Sequence, residues 1–598
     1  MAQASPTARV TTWLRAFTAA LGSGDIAATA ALFDTLCFWR DMVTFTWNIT
    51  TLEGRDAITA MLEARLADVG PDAFRIAGEA TEIDGACEAK FVFETRLARG
   101  QGYLRLRGER CWTLLTAITE LKGHEEKRGS TRDNGVVHGV YKNRKTWLEK
   151  RLEEERELGH SKQPYCLIIG GGQGGMALGA RLRRLDVPTI IIDKNPRAGD
   201  SWRNRYKSLC LHDAVWQDHM PYLPFPDHWP VFIPKDQMGD WLEAYARIME
   251  LNYWTSAACV SARYDDAARE WHVVVDRAGT RITLRPKQLV LATGMSGVPF
   301  IPSFPGAASF KGTQLHSSVY RSGEAYAGKR CVVIGSNNSA HDICADLWEH
   351  DADVTMVQRS PTVVVRSETL MVFFWEHVYS EAAVARGITT ELADLMGASV
   401  PHRLTGPRAK PAYDKIREHD KDLYARLEKV GFQFDFGEDG SGIACKYARR
   451  GSGYYIDVGA SELVCDGRIK LKSRVAVTRI TDNSIVLSDG TELPADLIVY
   501  ATGYGSMSGW AAQLISPEVA AKVGLCWGLG SGTSNDPGPW EGELRNMWKP
   551  THQDALWFQG GNLVQARFFS IILALQLKAR ALGIPTPAYG MQQVHHRG

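Results

Sequence analysis

Four apolar residues, Cys166-Leu167-Ile168-Ile169, run straight into Gly170-Gly171-Gly172-Gln173-Gly174-Gly175, and a helix-forming stretch, residues 176–184, follows at once. This feature constrains the fold more than any other in the chain. A short strand that is apolar at every position is buried on both faces, as in a parallel sheet covered by helices. Gly170, Gly172 and Gly175 satisfy G-x-G-x-x-G: the first makes the tight turn, the second lets a pyrophosphate reach the backbone, and the third lets the helix lie close on the strand. The helix N-terminus offers phosphate free N–H groups and the positive end of the helix dipole, with Gln173 and Gly174 of the preceding turn as further expected contacts. A second apolar strand, Thr189–Ile192, ends at Asp193, where a carboxylate can hold ribose hydroxyls.

The arrangement recurs. Arg330–Ile334 leads into Gly335-Ser336-Asn337-Asn338-Ser339-Ala340 and a helix to Trp348, with Asn337 in the middle glycine's place. The next strand, 353–357, ends at Gln358-Arg359-Ser360. Asp193 stands 23 residues after Gly170, and Gln358 stands 23 after Gly335. A carboxylate there repels a 2′-phosphate, whereas an arginine beside a hydroxyl binds one. The first site therefore favours FAD and the second NADPH, with Ser336, Asn337, Asn338, Ser339, Arg359 and Ser360 as its expected contacts. The plain alternative is that Arg359 is a solvated charge at a strand end.

At 598 residues the chain exceeds a single core, so several domains are expected. A formal net charge of +1 excludes a broad nucleic-acid footprint. Eleven cysteines without a CxxC pair point to reduced thiols in a cytoplasmic protein, with no disulfide frame and no metal site. The start, MAQASPTARV, lacks the apolar run of a secretory signal. The apolar stretch 568–577 is about half a membrane span, so it reads as a buried helix, and no membrane partner is expected.

Ahead of the α/β part, Val10, Trp13, Leu14, Phe17 and Leu21 recur at helical spacing. Val43, Phe45, Trp47 and Ile49 alternate with Thr44, Thr46 and Asn48 as in a half-buried strand, and strand-like runs follow at 89–97, 103–106 and 111–118. With Phe38-Trp39-Arg40-Asp41 and Leu52-Glu53-Gly54-Arg55, this unit resembles the α+β cone of the NTF2/SnoaL family. Such cones serve as pockets, enzymes or dimerisation modules, so the fold alone assigns no role. Assembly, as a homo-oligomer and specifically a dimer, is the role expected of it, and deleting residues up to Gly139 should leave FAD binding intact. Residues 122–139 read as a polar linker. Thr146 and Glu149 have capping-box spacing at the head of a charged helix that carries Leu148 and Leu152 on one face.

Phe310-Lys311-Gly312-Thr313-Gln314-Leu315-His316-Ser317-Ser318-Val319-Tyr320-Arg321 matches F-x-G-x-x-x-H-x-x-x-[YF]-[KR]. By this fingerprint the region from Tyr165 to Gly583 resembles the flavin-containing monooxygenases; the related Baeyer–Villiger enzymes carry tryptophan where Tyr320 stands. Asp193-Lys194 with Gly199-Asp200-Ser201-Trp202 looks like the family's flavin-side loop, and Ala292-Thr293-Gly294 and Ala501-Thr502-Gly503 like its two strand-to-loop crossings. Gly453-Tyr454-Tyr455-Ile456-Asp457-Val458-Gly459 resembles the subgroup of the plant YUCCA enzymes.

The resemblance implies two Rossmann-like dinucleotide-binding domains behind the cone: 1–121 as cone, 122–160 as linker and charged helix, 161–312 with 505–598 for FAD, and 313–504 inserted for NADPH. It implies that NADPH reduces FAD, that O2 adds as a C4a-hydroperoxide, and that one oxygen atom passes to nitrogen or sulfur of a small organic substrate in a dry site. Two alternatives stand beside it: a Baeyer–Villiger or YUCCA-like decarboxylating monooxygenase, and an NADPH oxidase or flavin reductase whose cone binds the ligand. His316 is expected to organise the hinge between domains and not to act as acid or base. Where amine-oxygenating members place asparagine after Ser-Leu-x-x, this chain has His212 after Ser208-Leu209-Cys210-Leu211, so His212 inherits that catalytic and cofactor-contacting role. Trp202, Trp216, Tyr222, Phe225 and Trp229 supply apolar surface, of which one or two should meet the flavin. Asn562 and Gln565, at the start of the last apolar helix, are its further expected partners.

Overall fold

The computed structural model describes residues 4–595. Its N-terminal part is a seven-stranded sheet ordered Ile49–Glu53, Phe33–Met42, Arg110–Leu121, Ala98–Arg107, Ala86–Glu94, Asp72–Ile76, with Thr81–Ile83 beside Ala86–Glu94. One face receives the helices Pro6–Ser23 and Arg55–Val69 and is filled by rings, among them Trp13, Phe17, Phe33, Trp39, Phe74 and Phe93. Gly100 and Gly102 make room for this stacking, since a Cβ at either would lie 2.2 Å from the ring of Phe93 or Phe91.

The other face is covered too. Met42, Val43, Trp47, Ile49, Tyr103, Leu115, Ala117 and Leu121 belong to the same core as the α/β part. That is why Arg110–Leu121 is buried without alternation from Cys111 to Ile118. Arg40 forms a buried pair with Glu543, Arg105 donates to the Ser399 hydroxyl at 2.9 Å, and Trp540 Nε1 donates to Glu53 at 2.7 Å. Near the C-terminus, Tyr589 N donates to Thr46 O at 2.8 Å, and Asn48 Nδ2 to the carbonyls of Tyr589 and Gly590.

The alternation at 43–48 is not a strand. Phe33–Met42 ends first, and the chain bends until Ile49–Glu53 begins, with φ of 69° at Val43 and 48° at Trp47. Buried Asp41 organises the bend: its Oδ2 accepts from Phe45 N, Thr46 N and the Thr46 hydroxyl, and its Oδ1 from Thr116. The apolar residues there are buried as a loop wedged between two units, which mimics a pleat in sequence. After the linker, Trp147–Glu157 carries the capping box of Thr146 and Glu149, but Leu148 and Leu152 are exposed; polar contacts dock this helix, such as Arg151 to Leu251 O at 3.0 Å.

The α/β part holds two parallel five-stranded sheets. The first is ordered Tyr253–Trp254, Thr189–Ile192, Cys166–Ile169, Gln288–Leu291, Leu556–Phe558. The second is ordered Thr313–His316, Leu497–Tyr500, Arg330–Ile334, Asp353–Gln358, Lys470–Ser473. All strands of the second lie in sequence between the fourth and fifth strands of the first, so the chain leaves one dinucleotide fold, builds the other and returns. Leu563–Ala581, which holds the apolar stretch 568–577, is largely buried against Gln173–Arg184. No helix among the described residues is long and apolar enough to cross a membrane.

Candidate functional site

At the first nucleotide turn Gly170 has φ 108°, and a Cβ on it would lie 2.4 Å from Ala292 O; one on Gly175 would lie 2.0 Å from Gly170 O. Both close approaches are to backbone, which cannot yield. Gly172 differs: φ is −75°, and the nearest atom to a Cβ would be Ser201 Oγ at 3.6 Å. The space a pyrophosphate needs is therefore open above a helix N-terminus that has no side-chain cap. Asp193 is fixed by Gly171 N on Oδ2 and by Asn195 N and Nδ2 on Oδ1, each at 2.8 Å, leaving lone pairs for hydroxyls. Gln173 Oε1 accepts from Trp202 Nε1 at 3.2 Å, and Gly174 O accepts from Gln559 Nε2 at 3.2 Å. Gly199 packs on the backbone of Gly239, while Lys194 and Ser201 are exposed.

Of the other aromatic residues, Trp216 donates to Glu381, Tyr222 lies under Arg181 beside the linker, and Phe225 stacks on Trp229. Of the five, Trp202 joins the nucleotide turn, where Tyr253 OH also donates to Gly171 O at 3.0 Å.

The second turn copies the first. Gly335 has φ 135°, and its Cβ would lie 2.3 Å from Ala501 O. Asn337 has φ −96° and ψ −170°, close to Gly172 at −75° and −170°. That backbone requires no glycine, so asparagine is tolerated. Its Oδ1 accepts from Thr362, whose hydroxyl also bonds the Ser336 hydroxyl at 2.8 Å, and Asn338 Oδ1 accepts from Ile456 N at 2.9 Å. These side chains brace the turn, while among the described residues the Ser339 hydroxyl has no hydrogen-bond partner. Gln358 exchanges two 2.8 Å bonds with the backbone of Gln433. Arg359 and Ser360 are exposed, and among the described residues neither side chain has a hydrogen bond or ion pair.

The fingerprint joins the two folds. His316 Nδ1 accepts from Ser318 N at 3.1 Å, so its proton sits on Nε2 and is given to Gly503 O at 3.0 Å. Burial lowers its pKa, which keeps the ring neutral. Gly503 O also accepts from Phe300 N, and the Thr502 hydroxyl donates to Phe300 O, so the two crossings are stitched together. Buried Tyr320 donates to Asp346 at 2.5 Å; this position braces the scaffold.

Above the crossings Asn562 and Gln565 form a reciprocal capping box, and Gln565 Oε1 also accepts from Tyr447 OH at 2.8 Å. The acceptor atoms are thus engaged, and the amide N–H groups remain. Tyr447 also reaches Met295 Sδ at 3.4 Å, and its ring meets Trp527 at 5.2 Å. His212 is half-buried, within electrostatic reach of Asp213 and Asp342. The sequence reading missed Tyr447, Met295, Thr362, Trp527 and Gln559, because no local pattern ties residues from separate insertions to one cleft. Thr293 Oγ1 and Gln559 Oε1 are buried without hydrogen-bond partners beside the strand ends. Such atoms, with the open turn at Gly172, suit a bound flavin nucleotide. Among the described residues no three His, Cys, Asp or Glu side chains cluster as metal ligands would.

The description Flavin-binding monooxygenase-like matches residues 195–401. Indole-3-pyruvate monooxygenase YUCCA1 of Oryza sativa subsp. japonica is 30% identical over 380 residues, 62% of this chain and 85% of that protein. Probable indole-3-pyruvate monooxygenase YUCCA7 of Arabidopsis thaliana is 30% identical over 347 residues, 57% of this chain and 74% of that one. An ε-caprolactone-bound cyclohexanone monooxygenase in the Loose conformation shares the fold, with TM-score 0.50 and 17% identity over 70% of this chain and 88% of that one. Fold and site define a flavoprotein oxidoreductase with two dinucleotide folds. The chain belongs to the flavin-binding monooxygenase-like family: it is a class B flavin monooxygenase that uses FAD and NADPH. When bound, the flavin accepts hydride from NADPH and activates O2.

Proposed function

We propose that this enzyme transfers one oxygen atom to nitrogen or sulfur of a small organic substrate. The observation that carries this reading is the aromatic roof: Tyr447 and Trp527 close over Met295 and the start of Leu563–Ala581. A cleft poor in water favours transfer of oxygen over its loss as hydrogen peroxide. In this reading Gly170, Gly172, Gln173, Gly174, Gly175, Asp193, Thr293 and the Asn562 and Gln565 amides hold FAD. The 335–340 turn, Arg359 and Ser360 hold NADPH, and His212 lies between the two.

A second reading, attack on a carbonyl carbon with decarboxylation, draws on the 30% identity to proteins named indole-3-pyruvate monooxygenases. Turnover under 18O2 with a thioether, a tertiary amine, a ketone and a 2-oxo acid separates them. Label on sulfur or nitrogen is expected. Label only in an ester or carboxylate product favours the second reading, and stoichiometric hydrogen peroxide without product overturns both.

The N-terminal unit, in this reading, is an NTF2/SnoaL-like cone used as a structural wall, and the domain limits are those stated above. Eleven free cysteines support a reducing, cytoplasmic setting. Exposed Val137, Val140, Trp147 and Leu148 support a homodimer through the linker, which light scattering on the Trp147→Glu variant tests.

A further inference from the structure

Helix Thr390–Ala398 is tied at both ends to parts of the molecule other than its own. It belongs to the helical insertion of the second dinucleotide fold, between strands Thr362–Arg366 and Tyr454–Asp457. At its N-terminal end the Thr390 hydroxyl donates to Trp216 O at 3.0 Å. One turn on, Asp394 receives Arg567 Nε at 2.8 Å and Nη2 at 2.7 Å, a two-pronged pair whose side chains are 3% and 5% exposed. Arg567 stands on Leu563–Ala581, in the first fold, and its Nη1 donates to Gln217 O and His219 O. Those carbonyls and Trp216 O lie in the segment just after His212.

The other end meets the N-terminal sheet. The last carbonyls of a helix lack partners within it and form the negative end of its dipole, so cations suit them. Arg40 donates to Ala398 O at 2.6 Å, and Arg105 donates to the Ser399 hydroxyl at 2.9 Å. Both guanidiniums are buried beside a counter-ion, Glu543 for Arg40 and Glu88, at 3.0 Å, for Arg105. Between the two ends, Leu395 is fully buried in the core that the N-terminal sheet shares with the first fold. Past 399–401 the chain enters His402–His419, whose Ala409, Tyr413 and Ile416 are buried in the second fold's own core. The helix is thus continuous with the body that carries the 335–340 turn.

We propose that the N-terminal unit clamps the second fold against the first for hydride transfer, with Arg40 and Arg105 as positioning residues. The two crossings, stitched at Phe300 and Gly503, would by themselves leave the folds a hinge. Helix Thr390–Ala398 is a further tie, held by Arg567 on one side and by the two sheet arginines on the other. Buried charges keep their partners in one arrangement only, so these contacts define a position where apolar packing would permit sliding. The proposal rests on the nucleotide placement given above, and it assigns the N-terminal unit a part in the reaction beyond that of a wall.

The double variant Arg105→Met with Glu88→Gln removes one tie without stranding a buried carboxylate. In the FAD-loaded variant, backbone hydrogen exchange over residues 390–399 should quicken by about ten- to a hundredfold, the factor expected for one charge-assisted bond. Anaerobic flavin reduction at saturating NADPH should slow by about tenfold, as a transfer step does when its partners are misplaced. Reduction by dithionite and the Kd for NADPH should match the wild type. Phe74→Leu, in the ring stack on the sheet's opposite face, is the control: it should lower Tm and leave both rates unchanged. Unmoved exchange or unmoved reduction in the double variant, or equal slowing in Phe74→Leu, overturns the proposal. Should the double variant not fold, Ser399→Ala, which deletes the acceptor and keeps the Arg105–Glu88 pair, decides by the same two rates. A wrong nucleotide placement is seen separately, as an Arg359→Ala enzyme whose KM for NADPH is unchanged.

Discussion

The guanidinium of Arg40 lies bidentate on the carboxylate of Glu543, with both N···O distances 2.6 Å and the two side chains 5% and 2% exposed. Arg40 comes from the N-terminal sheet, and Glu543 precedes the last strand of the first parallel sheet, so the pair locks the two ends of the chain together. Thr51 donates to the same carboxylate at 2.6 Å, and Arg40 donates to Ala398 O at 2.6 Å. Arg40→Ala leaves a buried carboxylate unpaired, a loss of about 3–5 kcal/mol. A clear fall in Tm is expected, and the double variant Arg40→Met with Glu543→Leu should recover much of it. An Arg40→Ala protein with wild-type Tm would show that water reaches the pair.

Acidification should loosen this interface. Burial pushes His402 down to about 4 from an ordinary 6.5, helped by Arg40; burial opposes the charge on Glu543, but Arg40, His402 and the hydrogen bonds hold it at about 2 against 4.5. In both cases the unfolded chain binds more protons than the folded one between the two values, so stability rises with pH there. It is complete above pH 6.5, falls first as His402 must charge, and falls again below 4.5 as Glu543 must protonate. The Tm of His402→Gln should therefore decline less than the wild type's between pH 6.5 and 4.5. Parallel curves would place the sensitivity elsewhere.

Gly170 and Gly172 should respond differently to alanine. At Gly170 the positive φ and the 2.4 Å approach to Ala292 O make a Cβ incompatible with the fold, so Gly170→Ala is expected to yield little soluble protein. At Gly172 the backbone accepts alanine and the space is open, so Gly172→Ala should fold but lose FAD. Flavin content per folded chain, with circular dichroism as the check on folding, separates the two.

Arg359→Ala should raise the KM for NADPH by about ten- to a hundredfold and leave NADH use unchanged, since a charge-assisted bond to phosphate contributes about 1.5–3 kcal/mol. The side chain is exposed and unpaired, so Tm should not move. Equal losses with both coenzymes would assign Arg359 a structural role.

His212→Asn should keep product formation, and His212→Leu should divert NADPH consumption to hydrogen peroxide. The ratio of peroxide to NADPH consumed measures this. An unchanged ratio in His212→Leu would remove His212 from the reaction.

Local sequence by itself determined the two nucleotide turns and their order. Apolar strands, glycines and the residue 23 places on act within one βαβ unit, where spacing alone dictates geometry. The same locality revealed the capping boxes at Thr146 and at the helix start near the C-terminus only as a spacing in the first case and as a guessed flavin contact in the second. What only the tertiary structure decided depends on residues far apart in sequence. The N-terminal unit read as a separable module, yet its second face is core: Leu115 and Ala117 are buried with the α/β part, and Arg40 with Glu543. Apolar and polar residues alternate at 43–48 and so read as a strand, yet all six are buried in a loop that Asp41 bends between the two units, so the alternation does not mark an inner and an outer face. The cluster of Met295, Tyr447, Trp527 and Gln565, one residue from each of four segments, forms only in the tertiary structure, and no periodicity links segments that meet only after both sheets have closed.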